Sequence, residues 1–245
     1  MIHDIWTVAR KEWLEIFDQL LRFKRGGWSV VLVIIFLGVV SPMQMGTHWL
    51  TSPFMFFYWP LLTSSMTSTL IADAVAGERE RHTLETLLAT RLSDSAILLG
   101  KIVAAVAYGC SFAVTNIALG LLVVNIQHGG GGFLFFPPGR LPALLALVGA
   151  VALFISGMGV FVSLRAPTVR QAQQTFGVII LVLMMAPVLL LQVITPAMQE
   201  RLMSTAAQIG LEIATYRVAA AIAGAALLLN AGAIARFRRG RLVLE

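Results

Sequence analysis

The chain has 245 residues, of which 58% are hydrophobic and 12% charged, and its net charge is +6. Soluble domains carry about a quarter charged residues, so this composition, with a mean hydropathy of +0.85, excludes an ordinary soluble domain. It describes an all-α integral membrane protein built as a single transmembrane domain, 1–245, and the lone Cys110 excludes an internal disulfide.

The first apolar run begins near Trp28, too late for the h-region of a signal peptide, so a retained N-terminus is expected. Before it, residues 1–26 hold an amphipathic pattern. Trp6, Ala9, Trp13, Ile16, Phe17 and Leu20 share one helical face, and Asp4, Lys11, Glu15, Asp18 and Arg22 share the other. A helix of this kind directly before a span is expected to lie in the headgroup plane.

A helix crosses the hydrocarbon core in about 20 apolar residues. Six stretches between 28 and 235 approach that length: Trp28–Met45, Phe54–Ala76, Ile102–Ile126, Pro142–Leu164, Thr175–Ile194 and Ala214–Ala235. Pro42 falls at the outer end of the first, and Pro60 and Pro187 are expected to kink the second and fifth. Between the second and third lies a charged block, "AGERERHTLETLLATRLS" at 76–93, expected to form a short amphipathic helix. Its pattern offers Glu78–His82 and Arg81–Glu85 pairs four residues apart and a stripe of Leu84, Leu87, Leu88 and Leu92. Ser93 or Asp94 is placed to cap the helix that runs through Lys101 into the third span. The loop 127–142, "QHGGGGFLFFPPGRLP", reads as a flexible connection without a phosphate-binding ending. Residues 195–215 read as a short outer helical segment between spans five and six, which starts at Thr195 and Pro196.

Placing both termini in the cytoplasm leaves only Arg140, Arg201 and Arg217 of the 18 lysines and arginines outside. The basic residues, including those of the tail 236–245, then read as topology anchors, and their scatter argues against a nucleic-acid face. No catalytic constellation stands out. His3, His48, His82 and His128 lack metal-ligand spacing, and no nucleotide-binding motif occurs, so the chain is not expected to be an enzyme or to hold a metal. The spans carry mild polar groups instead. Thr67, Ser68, Thr115 and Asn116 are candidates for a weakly polar substrate path, although hydrogen bonding between helices is the commoner role. Ala105, Gly109 and Ala113 mark close helix packing. Asp73 is expected to reach the interface as a structural group.

Balanced charge beside a leucine stripe suits a protein surface better than anionic lipid, which would select net basic charge. The run "GERERHTLETLLATRLSDSAILLGK" resembles the signature region of ABC type-2 permeases, the membrane subunits of ATP-driven exporters. Glu78, Glu80, Arg81, Thr83, Glu85, Leu87, Leu88, Gly100 and Lys101 carry the likeness, as do the six spans and the "ARKEW" start at Ala9–Trp13. His82 stands where glycine is common and Arg91 where proline is common, which bears on the turn geometry. The resemblance implies that Glu78, Arg79, Glu80, Arg81, His82, Thr83, Leu84, Glu85, Leu87 and Leu88 form a coupling helix seated on a separate ATP-binding subunit. It implies a second contact around Arg165 and Arg170. It also implies a second permease copy or homologue, a partner ATPase that binds the ATP and Mg, and a place in a bacterial or archaeal cytoplasmic membrane. A non-transporting membrane anchor for a cytoplasmic protein and a stand-alone channel are the competing readings.

Overall fold

The computed structural model describes residues 2–21, 27–83, 91–193 and 210–236, with the single positions 195, 198 and 201. Among these described residues the regular elements are all helices. They are α1 (Ile2–Leu21), α2 (Gly27–Ile35), α3 (Ser41–Met45), α4 (His48–Thr51), α5 (Met55–Glu80), α6 (Asp94–His128), α7 (Arg140–Arg165), α8 (Val169–Val193) and α9 (Leu211–Arg236). Three of them, α6, α7 and α9, are long and apolar enough to cross a membrane, with mean hydropathies of 1.9, 2.4 and 2.0. The other expected stretches are helical as well, with a more polar or more broken make-up. A run of hydroxyls, Thr63, Ser64, Ser65, Thr67, Ser68 and Thr69, dilutes α5, and Arg170, Gln171, Gln173 and Gln174 open α8. Most of the outer segment expected at 195–215 lies outside the described residues, as does the basic tail beyond Arg236.

Each proline is absorbed differently. Between α2 and α3 the chain makes a π-helical turn, Phe36–Val40, in which the Ser41 N–H reaches back to the Phe36 carbonyl. A proline at 42 clashes with the carbonyl four residues earlier in an ordinary α-helix, and the widened turn just before it makes the room. Pro60 lies within α5, which continues past it without a break to Glu80.

α7 packs on both α5 and α9, α5 also meets α6 and α8, and α1 and the α2–α3 rod lie along α6. The approaches are close because small residues line them. At Gly159 of α7 a Cβ would stand 2.2 Å from the Ile71 side chain of α5. At Gly109 of α6 it would stand 2.1 Å from the Thr67 hydroxyl. Ala105, Gly109 and Ala113, expected at a tight contact, are all buried. Among its described side chains, Ala9 and Ile16 of the expected apolar face of α1 are buried together with Val8, whereas Trp6 of the same face is 66% exposed.

The helices alternate in direction. Glu80 accepts from the Val169 N–H at 3.0 Å, which brings the end of α5 to the turn between α7 and α8. At the opposite end Arg140 donates to the Thr51 carbonyl and its Nε lies 3.6 Å from Glu212. The loop 127–142 is not a wholly flexible connection. Asn125 donates to the Leu134 carbonyl at 2.9 Å and accepts from its N–H at 2.7 Å, and Phe136 is buried against Trp49 at 5.7 Å between ring centroids. The amide of Asn125 mimics a strand neighbour, a pairing that composition alone does not reveal.

Candidate functional site

The charged block opens as the continuation of α5. That helix ends at Glu80, and Arg81, His82 and Thr83 form the turn after it. No separate helix begins at 76, and the expected Glu78–His82 pairing does not form because the helix stops between them. His82 has φ of +55°, the left-handed conformation that glycine adopts without strain. The position where a glycine is usual in the resembling family is thus one whose backbone favours glycine.

Several of the charged groups at the start of the block bond the chain itself. Glu78 and Lys101 are buried, the lysine at 6% exposure. The Lys101 Nζ lies 2.8 Å from Glu12 Oε1 on α1 and 3.1 Å from Glu78 Oε1 on α5. One ammonium therefore ties three helices. Thr83 donates its hydroxyl to the other Glu78 oxygen, and its N–H bonds the Glu78 carbonyl at 2.9 Å. Buried charge is costly unless paired and hydrogen-bonded, and here each charged group has its partner. Lys101 is accordingly no solvent-facing topology anchor. Its neighbour Gly100 explains how α1 comes close enough: a Cβ there would stand 2.6 Å from Val8 Cβ.

Arg81 pairs with Asp73, two turns back on α5. Gly77, one turn from each, keeps that path open, since a Cβ would fall 1.9 Å from the Asp73 carboxylate. Arg79 donates to the Leu164 and Ala166 carbonyls at 3.2 and 3.4 Å. It thereby satisfies carbonyls left open at the C-terminal end of α7. Glu80 does the converse for α8 by accepting from Val169 N–H. Deeper in, the Ser163 hydroxyl of α7 donates to the Ala72 carbonyl at 3.0 Å. It also accepts from the N–H groups of Val75 and Ala76 at 3.1 and 3.0 Å. Neither Ser163 nor the pairing of Glu12 with Lys101 was flagged by sequence. The only available signal was a charged residue on each partner in an otherwise apolar chain.

Leu84, Glu85, Leu87 and Leu88 lie outside the described residues. Arg165 and Arg170 are exposed beside the α7–α8 turn, at the same end of the bundle as the charged block. The four polar path candidates do not share one surface. Thr67 and Asn116 are fully buried, Ser68 nearly so, and Thr115 is exposed on another face of α6. The Ser68 hydroxyl bonds the Ser65 carbonyl at 2.8 Å, and the Asn116 amide bonds the Phe112 carbonyl at 2.8 Å. Ser93 caps α6 as expected, its hydroxyl accepting from the Ala96 N–H at 3.3 Å. Among the described residues no group of His, Cys, Asp or Glu side chains is arranged to hold a metal ion.

A family model described as ABC-2 family transporter protein matches residues 43–218, from α3 into α9, and so includes the charged block. No curated protein matches the chain.

Proposed function

The chain belongs to the ABC-2 family of transporter proteins, and from that premise we propose that it is the membrane subunit of an exporter driven by a separate ATPase. In this reading six helical passes carry the substrate path, both termini face the cytoplasm, and two permease copies or homologues join two ATPases. The ATP and Mg belong to the partner. Residues 84–90, with Glu85 and the Leu87–Leu88 pair, enter its groove, and the α7–α8 turn with Arg170 makes the second contact.

The observation that carries this reading is the knot behind that segment. Glu78, Arg79, Glu80 and Lys101 join α1, α5, α6 and the α7–α8 turn into one piece. A push on residues 84–90 is then delivered to α1, α5, α6 and the α7–α8 turn at once, whereas an anchor that merely holds a partner needs no such linkage. The test is co-purification of the tagged full chain with an ATP-binding-cassette ATPase, followed by ATP turnover and uptake into inverted vesicles. Leu87→Asp is expected to abolish both association and turnover while the chain remains folded by circular dichroism. Association without any ATP-dependent transport would favour the anchor instead.

A further inference from the structure

α8 packs chiefly on α5, and α9 on α7. A gap remains between α8 and α9, floored by α7, and it has two compartments. The first, of about 440 Å³, lies at mid-height and is walled by Val151, Ile155, Ile180, Leu183, Ala221 and Ala225 among others. Its one hydroxyl, on Ser64, is already committed to the Leu61 carbonyl at 2.6 Å. The second, of about 360 Å³, is lined by Phe161, Val162, Leu229, Arg165, Gln171 and Thr175 among others. Ile179 of the second adjoins Ile180 of the first, and Met158 and Leu229 lie one helical turn beyond Phe154 and Ala225. The compartments therefore stack end to end as one groove, apolar at mid-height and basic at the α7–α8 turn.

Two cations from different helices stand at the basic end. Arg165 lines it, and the Arg236 guanidinium lies over one of its lining residues, 5.5 Å from the centre of the Phe161 ring. Neither has a carboxylate partner among the described residues, and no acid lines either compartment. An apolar cavity of about 150 Å³ is enough to hold benzene, so the first compartment accommodates a considerably longer hydrocarbon. Arginine suits phosphate because its fork of N–H groups matches the oxygens.

We propose that this groove binds one anionic phospholipid of the surrounding bilayer, its acyl chain between α8 and α9 and its phosphate at Arg165 and Arg236. The wall chemistry selects the chain, and the cations at the open end, which have no carboxylate partner among the described residues, select the headgroup. The inference rests on the chain being embedded in a membrane and not on an ATPase, so its failure would leave the coupling proposal standing.

The test is native mass spectrometry of the full chain in nonionic detergent, equilibrated with equimolar phosphatidylglycerol and phosphatidylcholine of the same acyl chains. The wild type retains one phosphatidylglycerol in preference. A juxtamembrane arginine is worth roughly fivefold in anionic-lipid binding, so Arg165→Gln with Arg236→Gln lowers retention about 25-fold. Ala221→Phe with Ala225→Phe fills the cleft and also expels the lipid, whereas Arg170→Gln, outside the groove, retains it. Equal retention of the two lipids by the wild type overturns the proposal. So does an effect of Arg170→Gln as large as that of the groove pair. Should the phenylalanine variant fail to fold, the glutamine pair decides alone.

Discussion

Lys101→Met removes the ammonium that the buried Glu78 and the partly buried Glu12 share. The methionine keeps most of the side-chain length, so the loss is one of charge. It leaves Glu12, 21% exposed at its side chain, and Glu78, 11% exposed, facing each other with no cation between them. Removing one partner of a buried pair costs about 3–5 kcal/mol, and the lower part of that range applies because Glu12 is partly exposed and water can reach it. Neutralising the acids as well, in the triple variant Glu12→Gln, Glu78→Gln and Lys101→Met, is expected to recover most of the loss, because a neutral replacement removes the buried charge itself. The assay is reversible unfolding in mixed micelles titrated with a denaturing detergent, read as a mutant cycle. A Lys101→Met cost below about 1 kcal/mol, or no recovery in the triple variant, would refute the pairing as a structural knot.

Two further outcomes are expected in the same assay. Ser163→Ala removes the hydroxyl that bonds the Ala72 carbonyl and the Val75 and Ala76 N–H groups inside a buried contact; because those N–H groups lie within the α5 helix ladder, the loss should cost about 0.5–1.5 kcal/mol, and Ser163→Thr should recover part of it if the hydroxyl is what matters. His82→Gly relieves a left-handed backbone worth roughly 1 kcal/mol, so it should raise the unfolding midpoint, whereas His82→Val should lower it; equal behaviour of the two would show that the backbone there is not strained.

The helical plan was legible because it depends on run length and local spacing. Five of the six stretches coincide with single long helices, and the Ser93 cap stands where the sequence put it. What was not legible depends on pairs distant in the chain. Glu12, Glu78 and Lys101 are separated by dozens of residues, and nothing in a local pattern says that one lysine will sit between them. The same holds for Ser163, whose three bonds all go to α5. Local reasoning also missed the internal role of part of the block: Glu78 is buried against Lys101, and Arg79 and Glu80 bond the chain's own helix ends. The contact of α1 with α6 is a related case: Val8, which lies outside the expected apolar face, is buried over the space that Gly100 leaves. At His82, by contrast, the departure from the family pattern pointed at the one described non-glycine residue with positive φ.

The bonds from Ser163 also define a mechanical ratio. They grip α5 at residues 72–76, close to one end of an unbroken rod. At 1.5 Å per residue, about 9 Å of helix lies between that grip and Glu80, and about 21 Å between it and Pro60. A rod held there is a lever with its short arm at the charged end. Sideways displacement of Glu80 emerges near Pro60 about twice as large and in the opposite sense, and is carried through the hydroxyl-rich stretch 63–69 at roughly its original size.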